Sequence, residues 1–143
     1  MEYLLVSSCL LGNNVKYNGK NNYVADIEKI KNKYNIIVVC PEVMGGLPIP
    51  RIPSEILNDR VVNKEGTDVT NNFYAGANIA LELVKKYNIK KALLKEGSPS
   101  CGSNYIYDGT FSGTKVEGQG ITAKELSKLG VKIYNEKQIE DLV

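Results

Sequence analysis

Apolar residues along the chain follow two alternating patterns. One is the short unbroken run, as in Tyr3-Leu4-Leu5-Val6 and the β-branched Ile36-Ile37-Val38-Val39. The second of these runs has the character of a parallel strand covered on both faces. The other pattern is helical spacing: Val24, Ile27, Ile30 and Tyr34 form one set, and Phe73, Ala77, Ala80, Leu81 and Val84 mark one face of a helix reaching to about Lys86. Lys91 to Lys95 and Val131 to Tyr134 read as further strands, and the closing segment "EKQIEDLV" as a terminal helix. Thr122-Ala-Lys-Glu125 has the spacing of a capping box, with Gly130 placed to close the helix it opens. This alternation predicts an α/β fold: a doubly wound, mostly parallel sheet of Rossmann-like three-layer form with right-handed crossovers. A length of 143 residues with 43% hydrophobic content suits one domain, residues 1–143.

Two insertions interrupt the alternation. Residues 41 to 66, "PEVMGGLPIPRIPSEILNDRVVNKEG", hold most of the prolines, and residues 97 to 120 are rich in glycine. Connections of that length in a compact domain usually carry function or small elements of their own. Neither contains the glycine pattern of a phosphate cradle, so no nucleotide site is read here.

Charge narrows the partners. Eighteen basic and 16 acidic side chains leave a formal charge of +2, and the lysines occur in short scattered groups such as Lys29, Lys31 and Lys33. That distribution fits solvated helix faces and speaks against a nucleic-acid partner. The start, "MEYLLVSSCLLG", has neither a basic leader nor an apolar stretch long enough to span a membrane, so a cytoplasmic location and no membrane partner are expected.

The chemistry-bearing residues are few. There is no histidine, which removes the commonest zinc ligand and the commonest acid/base group. Three cysteines remain, an odd number that argues against a disulfide framework. Each follows a predicted strand: Cys9 after Leu4 to Ser7, Cys40 after Ile36 to Val39, and Cys101 after Ala92 to Lys95. In an open parallel sheet these positions share the edge where α/β proteins bind ligands. Any single cysteine is more readily explained as a small buried hydrophobe. Three at one edge fit soft-metal chemistry, either iron-sulfur or zinc with a fourth ligand that is not a cysteine, and three protein ligands leave a coordination position open.

The segments "SSCLLGNNVKYNG", "CPEVMGGLPIPRIPSEI" and "GSPSCGSNYIYDGTFSGTKVEGQGITAKEL" resemble the signature blocks of the thiouracil desulfurases, a family formerly known as domain of unknown function 523. The resemblance spans nearly the whole chain. It implies a 4Fe-4S cluster held by Cys9, Cys40 and Cys101, with sulfide or another anion on the iron that has no protein ligand. It further implies non-redox removal of sulfur from a small thiolated nucleobase, 2-thiouracil, giving uracil and hydrosulfide. The open iron would polarise the C=S carbon toward water. One departure stands out: Glu96-Gly97 occupies a place where many relatives carry a small or basic pair, which is expected to alter the pocket rim.

Proton transfer without histidine falls to carboxylates and hydroxyls. Glu42, two residues after Cys40, is the candidate acid/base group, and the resemblance adds a serine of the "SPSCG" string, Ser98 first and Ser100 second. Arg51, set in the apolar "LPIPRIPSEI", is a candidate to bind a uracil carbonyl, or else to pair with Glu55. Tyr107 is a candidate substrate-binding residue, and Tyr17 and Tyr105 are further rings able to stack. Two other functions remain open: an iron-sulfur module that carries sulfur for tRNA thiolation, and a cysteine-ligated zinc hydrolase.

Overall fold

The computed structural model describes residues 1–143. In chain order the elements are β1 (Tyr3–Ser7), a 3-10 turn (Ser8–Leu11), α1 (Ile27–Lys31), β2 (Asn35–Val39), α2 (Pro41–Met44), β3 (Ser54–Leu57) and β4 (Arg60–Asn63). There follow α3 (Thr70–Tyr87), β5 (Lys91–Leu93), β6 (Tyr105–Tyr107), β7 (Lys115–Glu117), α4 (Ile121–Lys128), β8 (Lys132–Tyr134) and a last 3-10 turn (Ile139–Asp141). Four strands form the central sheet in the order β2-β1-β5-β8. Every pairing within it is parallel.

Successive strand side chains point to opposite faces, and the core divides accordingly. Leu5 and Ala92 pack with Ala80 and Val84 of α3 and Leu126 of α4. Leu4, Val6 and Leu93 pack on the other face with Ile27 and Ile30 of α1 and with Ile139 and Leu142. Sheet between two covered faces is the doubly wound three-layer arrangement expected from the alternation of elements.

Several local expectations do not hold. β2 is an edge strand, and Val38 is 41% exposed, because α1 is a helix of only five residues and cannot cover the strand. The segment "EKQIEDLV" forms a single 3-10 turn: Asn135 accepts the Lys137 N–H and Gln138 accepts the Asn135 N–H, and these side-chain bonds compete with a helical ladder. The capping box is absent. Gly120 is the N-cap of α4, and Thr122 is fully buried with its Oγ1 unpartnered. The first amides of α4 are instead taken by the carbonyls of Pro99 and Ser100, so the cysteine-bearing loop itself caps the helix. Gly130 does close that helix, at φ +90°, with the Val131 N–H bonded to the Leu126 carbonyl.

Both insertions carry small elements. The first holds α2 and the antiparallel β3–β4 hairpin, the second the antiparallel β6–β7 hairpin. Glu55 joins them: its Oε1 accepts the N–H groups of Gly109 at 3.0 Å and Phe111 at 3.1 Å. Helix α2 is seated on α3 at Gly76, where an added Cβ would collide with the Pro41 carbonyl. A Gly76→Ala variant is therefore expected to lose about 1 to 3 kcal/mol in denaturant unfolding, as overpacked cores do. An unchanged midpoint would contradict this close seating of the turn next to Cys40.

Candidate active site at the carboxyl ends of the strands

The strand order explains how distant cysteines meet. β1 ends at Ser7 and turns directly into the 3-10 segment carrying Cys9, while β2 ends at Val39 with Cys40 the next residue. Beyond β5 the chain passes through the "GSPSCG" loop to Cys101. Because β2, β1 and β5 are neighbours, all three side chains line one cleft of about 520 Å³ at the carboxyl edge of the sheet. None is in a disulfide. Ser98, Ser100, Glu42, Arg51 and Tyr107 line the same cleft, so it gathers every candidate read from the sequence.

Burial sets the state of the thiols. It pushes Cys101 up to about 12 against the opposing hydroxyls of Ser100 and Ser7. It also raises Cys9, with Cys40 adding to the effect, and raises Cys40 against nearby backbone N–H groups and the Arg51 charge. Three neutral thiols in a shared cleft are latent soft ligands, which release protons when a cation takes them. The three sulfurs are not drawn into the tight group that a single metal ion requires. One zinc ion would need every sulfur about 2.3 Å from the same point. A larger inorganic group that offers a separate metal atom to each thiolate does not require the sulfurs to meet at one point.

Beside the thiols lies a directional hydrogen-bond chain. Ser98 Oγ accepts the N–H groups of Ser100 at 3.0 Å and Cys101 at 3.1 Å. With those acceptor positions filled, its proton points to Ser100 Oγ, 2.8 Å away. Ser100 in turn donates to Glu42 Oε2 at 3.2 Å, and its oxygen stands 3.6 Å from Cys101 Sγ. Ser100, rather than Ser98, is thus the hydroxyl against the carboxylate, and Ser98 holds the backbone of the loop.

Arg51 does not pair with Glu55. Its Nε meets Glu42 Oε1 at 3.0 Å, with side chains only 6% and 15% exposed. Its other nitrogens donate to the carbonyls of Val15 and Pro48. The expectation failed because Glu55 lies in β3 and faces the β6–β7 hairpin, whereas α2 returns Glu42 to the guanidinium. These three bonds hold the guanidinium against Glu42 and leave one N–H on each terminal nitrogen.

Two groups gained importance from the structure. Lys95 lines the cleft with its ammonium on Glu136, 2.9 Å away; burial disfavours the charge, and Glu136 more than restores it. Glu96, expected at the rim, is 7% exposed with its carboxylate turned inward. Oε1 accepts N–H groups from Gly97, Ser103, Asn104 and Tyr105. Oε2 accepts from Ser103 Oγ, Asn104 Nδ2 and Asn135 Nδ2. Burial alone would raise its pKa, but the donors of Asn104, Asn135 and Tyr105 outweigh it and hold it at about 2. A carboxylate depressed in the folded state contributes stability that is complete above its unfolded pKa and is lost as the pH falls toward the folded one. Unfolding free energy is accordingly expected to drop by up to about 3 kcal/mol between roughly pH 5 and pH 2 through this group. Glu96→Gln should flatten that slope in pH-dependent denaturant unfolding, and an unaltered slope would contradict the assignment.

Comparison with known proteins agrees with this picture. The 2-thiouracil desulfurase family model matches residues 4–138. An uncharacterized protein of Bacillus subtilis (strain 168), YbbK, is 38% identical over 98% of this chain and 99% of its own length. A solved structure described as the [4Fe-4S]-dependent thiouracil desulfidase TudS superposes with a TM-score of 0.94 at 42% identity, covering 99% of this chain and 95% of that one. The parallel α/β fold is therefore that of the solved relative, and the chain belongs to the 2-thiouracil desulfurase family.

Proposed function

We propose that the cleft removes sulfur from a thiolated pyrimidine, converting 2-thiouracil to uracil and hydrosulfide, with Cys9, Cys40 and Cys101 holding a 4Fe-4S cluster. The observation that carries this reading is the meeting of three free thiols with the Glu42–Ser100 pair in one cleft. A cluster gives each thiolate its own metal atom, so it does not need the single meeting point that a zinc ion would. An acid/base carboxylate beside them favours an enzyme over a sulfur-carrying module. The family and the solved relative support the same activity and cofactor.

When bound, an iron without a protein ligand supplies a soft Lewis-acid position for the substrate sulfur. The residues of the chain do the rest. Arg51 occupies Glu42 Oε1 and so fixes the carboxylate with Oε2 turned to Ser100. Glu42 Oε2 takes a proton from the attacking water and returns one to the departing side of the substrate, with Ser100 and Ser98 holding the intervening hydroxyl protons. Overall, thiouracil and water give uracil and hydrogen sulfide with no change of oxidation state. No helix is long and apolar enough to cross a membrane.

The test is anaerobic reconstitution with iron and sulfide, followed by incubation with thiouracil alone. Equal amounts of uracil and hydrosulfide over many turnovers are expected. A fully loaded protein that leaves thiouracil intact would overturn the reading.

A further inference from the structure

The β6–β7 connection, Asp108 to Thr114, contains three residues in the left-handed region: Gly109 at φ +92°, Phe111 at +57° and Gly113 at +79°. At two of these positions the sequence carries glycine, which adopts that conformation freely. At the third it carries a bulky aromatic residue, for which positive φ is a genuine outlier. Such outliers persist where surrounding structure fixes them, and they cluster at ligand clamps.

The surroundings of Phe111 do fix it. Its N–H and that of Gly109 are both bonded to Glu55 Oε1, which ties the loop to the opposite hairpin. A Cβ on Gly109 would meet Leu57 and the Ile56 carbonyl, so the loop lies directly on β3. Asp108, Thr110, Ser112 and Thr114 are linked by successive side-chain hydrogen bonds of 2.6 to 2.8 Å. On this rigid support Phe111 is half-buried and lines the cleft that holds the three cysteines and Glu42. It has no aromatic partner within the protein, whereas Tyr105 lies under the Lys115 ammonium at 4.6 Å and stands edge-on to Tyr107.

We infer that Phe111 is the aromatic wall of the substrate site, held in a strained backbone conformation by Glu55 so that its ring packs on the pyrimidine. This rests on the thiolated-pyrimidine reading of the cleft. The contact is the same before and during reaction, so it acts on affinity and leaves turnover nearly unchanged.

Glycine is the informative replacement, because it removes the ring while suiting the positive φ better than phenylalanine does. With anaerobically loaded protein, the Kd for thiouracil measured by titration and the KM are both expected to rise roughly tenfold or more in Phe111→Gly, the scale of losing one ring-on-base stack. The kcat, iron content and visible absorption should stay near wild type. Phe111→Tyr, which keeps the ring, should remain within about twofold of wild type in Kd, as the stacking face is retained. An unchanged Kd in Phe111→Gly, or equal losses in the glycine and tyrosine variants, would overturn the inference. Wild-type protein that binds thiouracil without converting it would refute desulfuration while the Kd comparison still decides the role of Phe111. Wild-type protein that fails to bind thiouracil would overturn both.

Discussion

Cys101→Ala is expected to abolish stable iron incorporation after anaerobic reconstitution, and with it all turnover. Cys101 is the most deeply placed of the three sulfurs, 5% exposed, in a loop whose carbonyls cap α4 and whose serines bond its own backbone. Alanine fits that site without strain, so the fold should survive; what disappears is a soft ligand for which the cleft offers no histidine as replacement. The same loss is expected for Cys9→Ala and Cys40→Ala, since the three line one cleft from neighbouring strands. Iron analysis checks this. Full iron content in any one of the variants would show that the sulfurs do not act as a single site.

Glu42→Gln is expected to keep the cluster and still bind thiouracil, yet lose turnover by about 10² to 10⁴-fold, roughly 3 to 5 kcal/mol of barrier. Glutamine preserves the size of the side chain and can still accept the Arg51 hydrogen bond, but it exchanges no proton at neutral pH. Arg51 then loses a close ionic partner in a nearly buried position, so iron content and thermal midpoint belong in the same experiment. Normal turnover with an intact cluster would remove Glu42 from the reaction and pass the proton to Ser100, Ser98 or water.

The site was legible in the sequence to the extent that it depends on strand ends. Cys9, Cys40 and Cys101 each follow an apolar run, and a parallel sheet puts such positions on one edge whatever the order of its strands. Glu42 was legible as a candidate because it lies two residues after Cys40. What escaped the sequence was set by contacts between the two insertions. Arg51 stands four residues from Glu55 and nine from Glu42, but only the return of the loop after α2 decides which carboxylate it meets. Glu96 reads as a surface charge until Asn104 and Asn135 are folded around it. Phe111 reads as an ordinary loop aromatic, although the glycines two residues to either side already signalled a loop of left-handed positions. Thr122 and Glu125 matched a capping box that fails because the Pro99 and Ser100 carbonyls reach the helix first. Local side-chain bonding around Asn135 likewise overrode the helical reading of the last segment.

Desulfuration by hydrolysis takes the new oxygen from water and needs no electrons supplied from outside. The most direct measurement is the mass of uracil formed when fully loaded wild-type protein turns over thiouracil in heavy-oxygen water without reductant. One heavy oxygen in each uracil and an equal yield of hydrosulfide, sustained over many turnovers, are expected. Unlabelled uracil, or a reaction that stops after a single turnover until electrons are added, would contradict it.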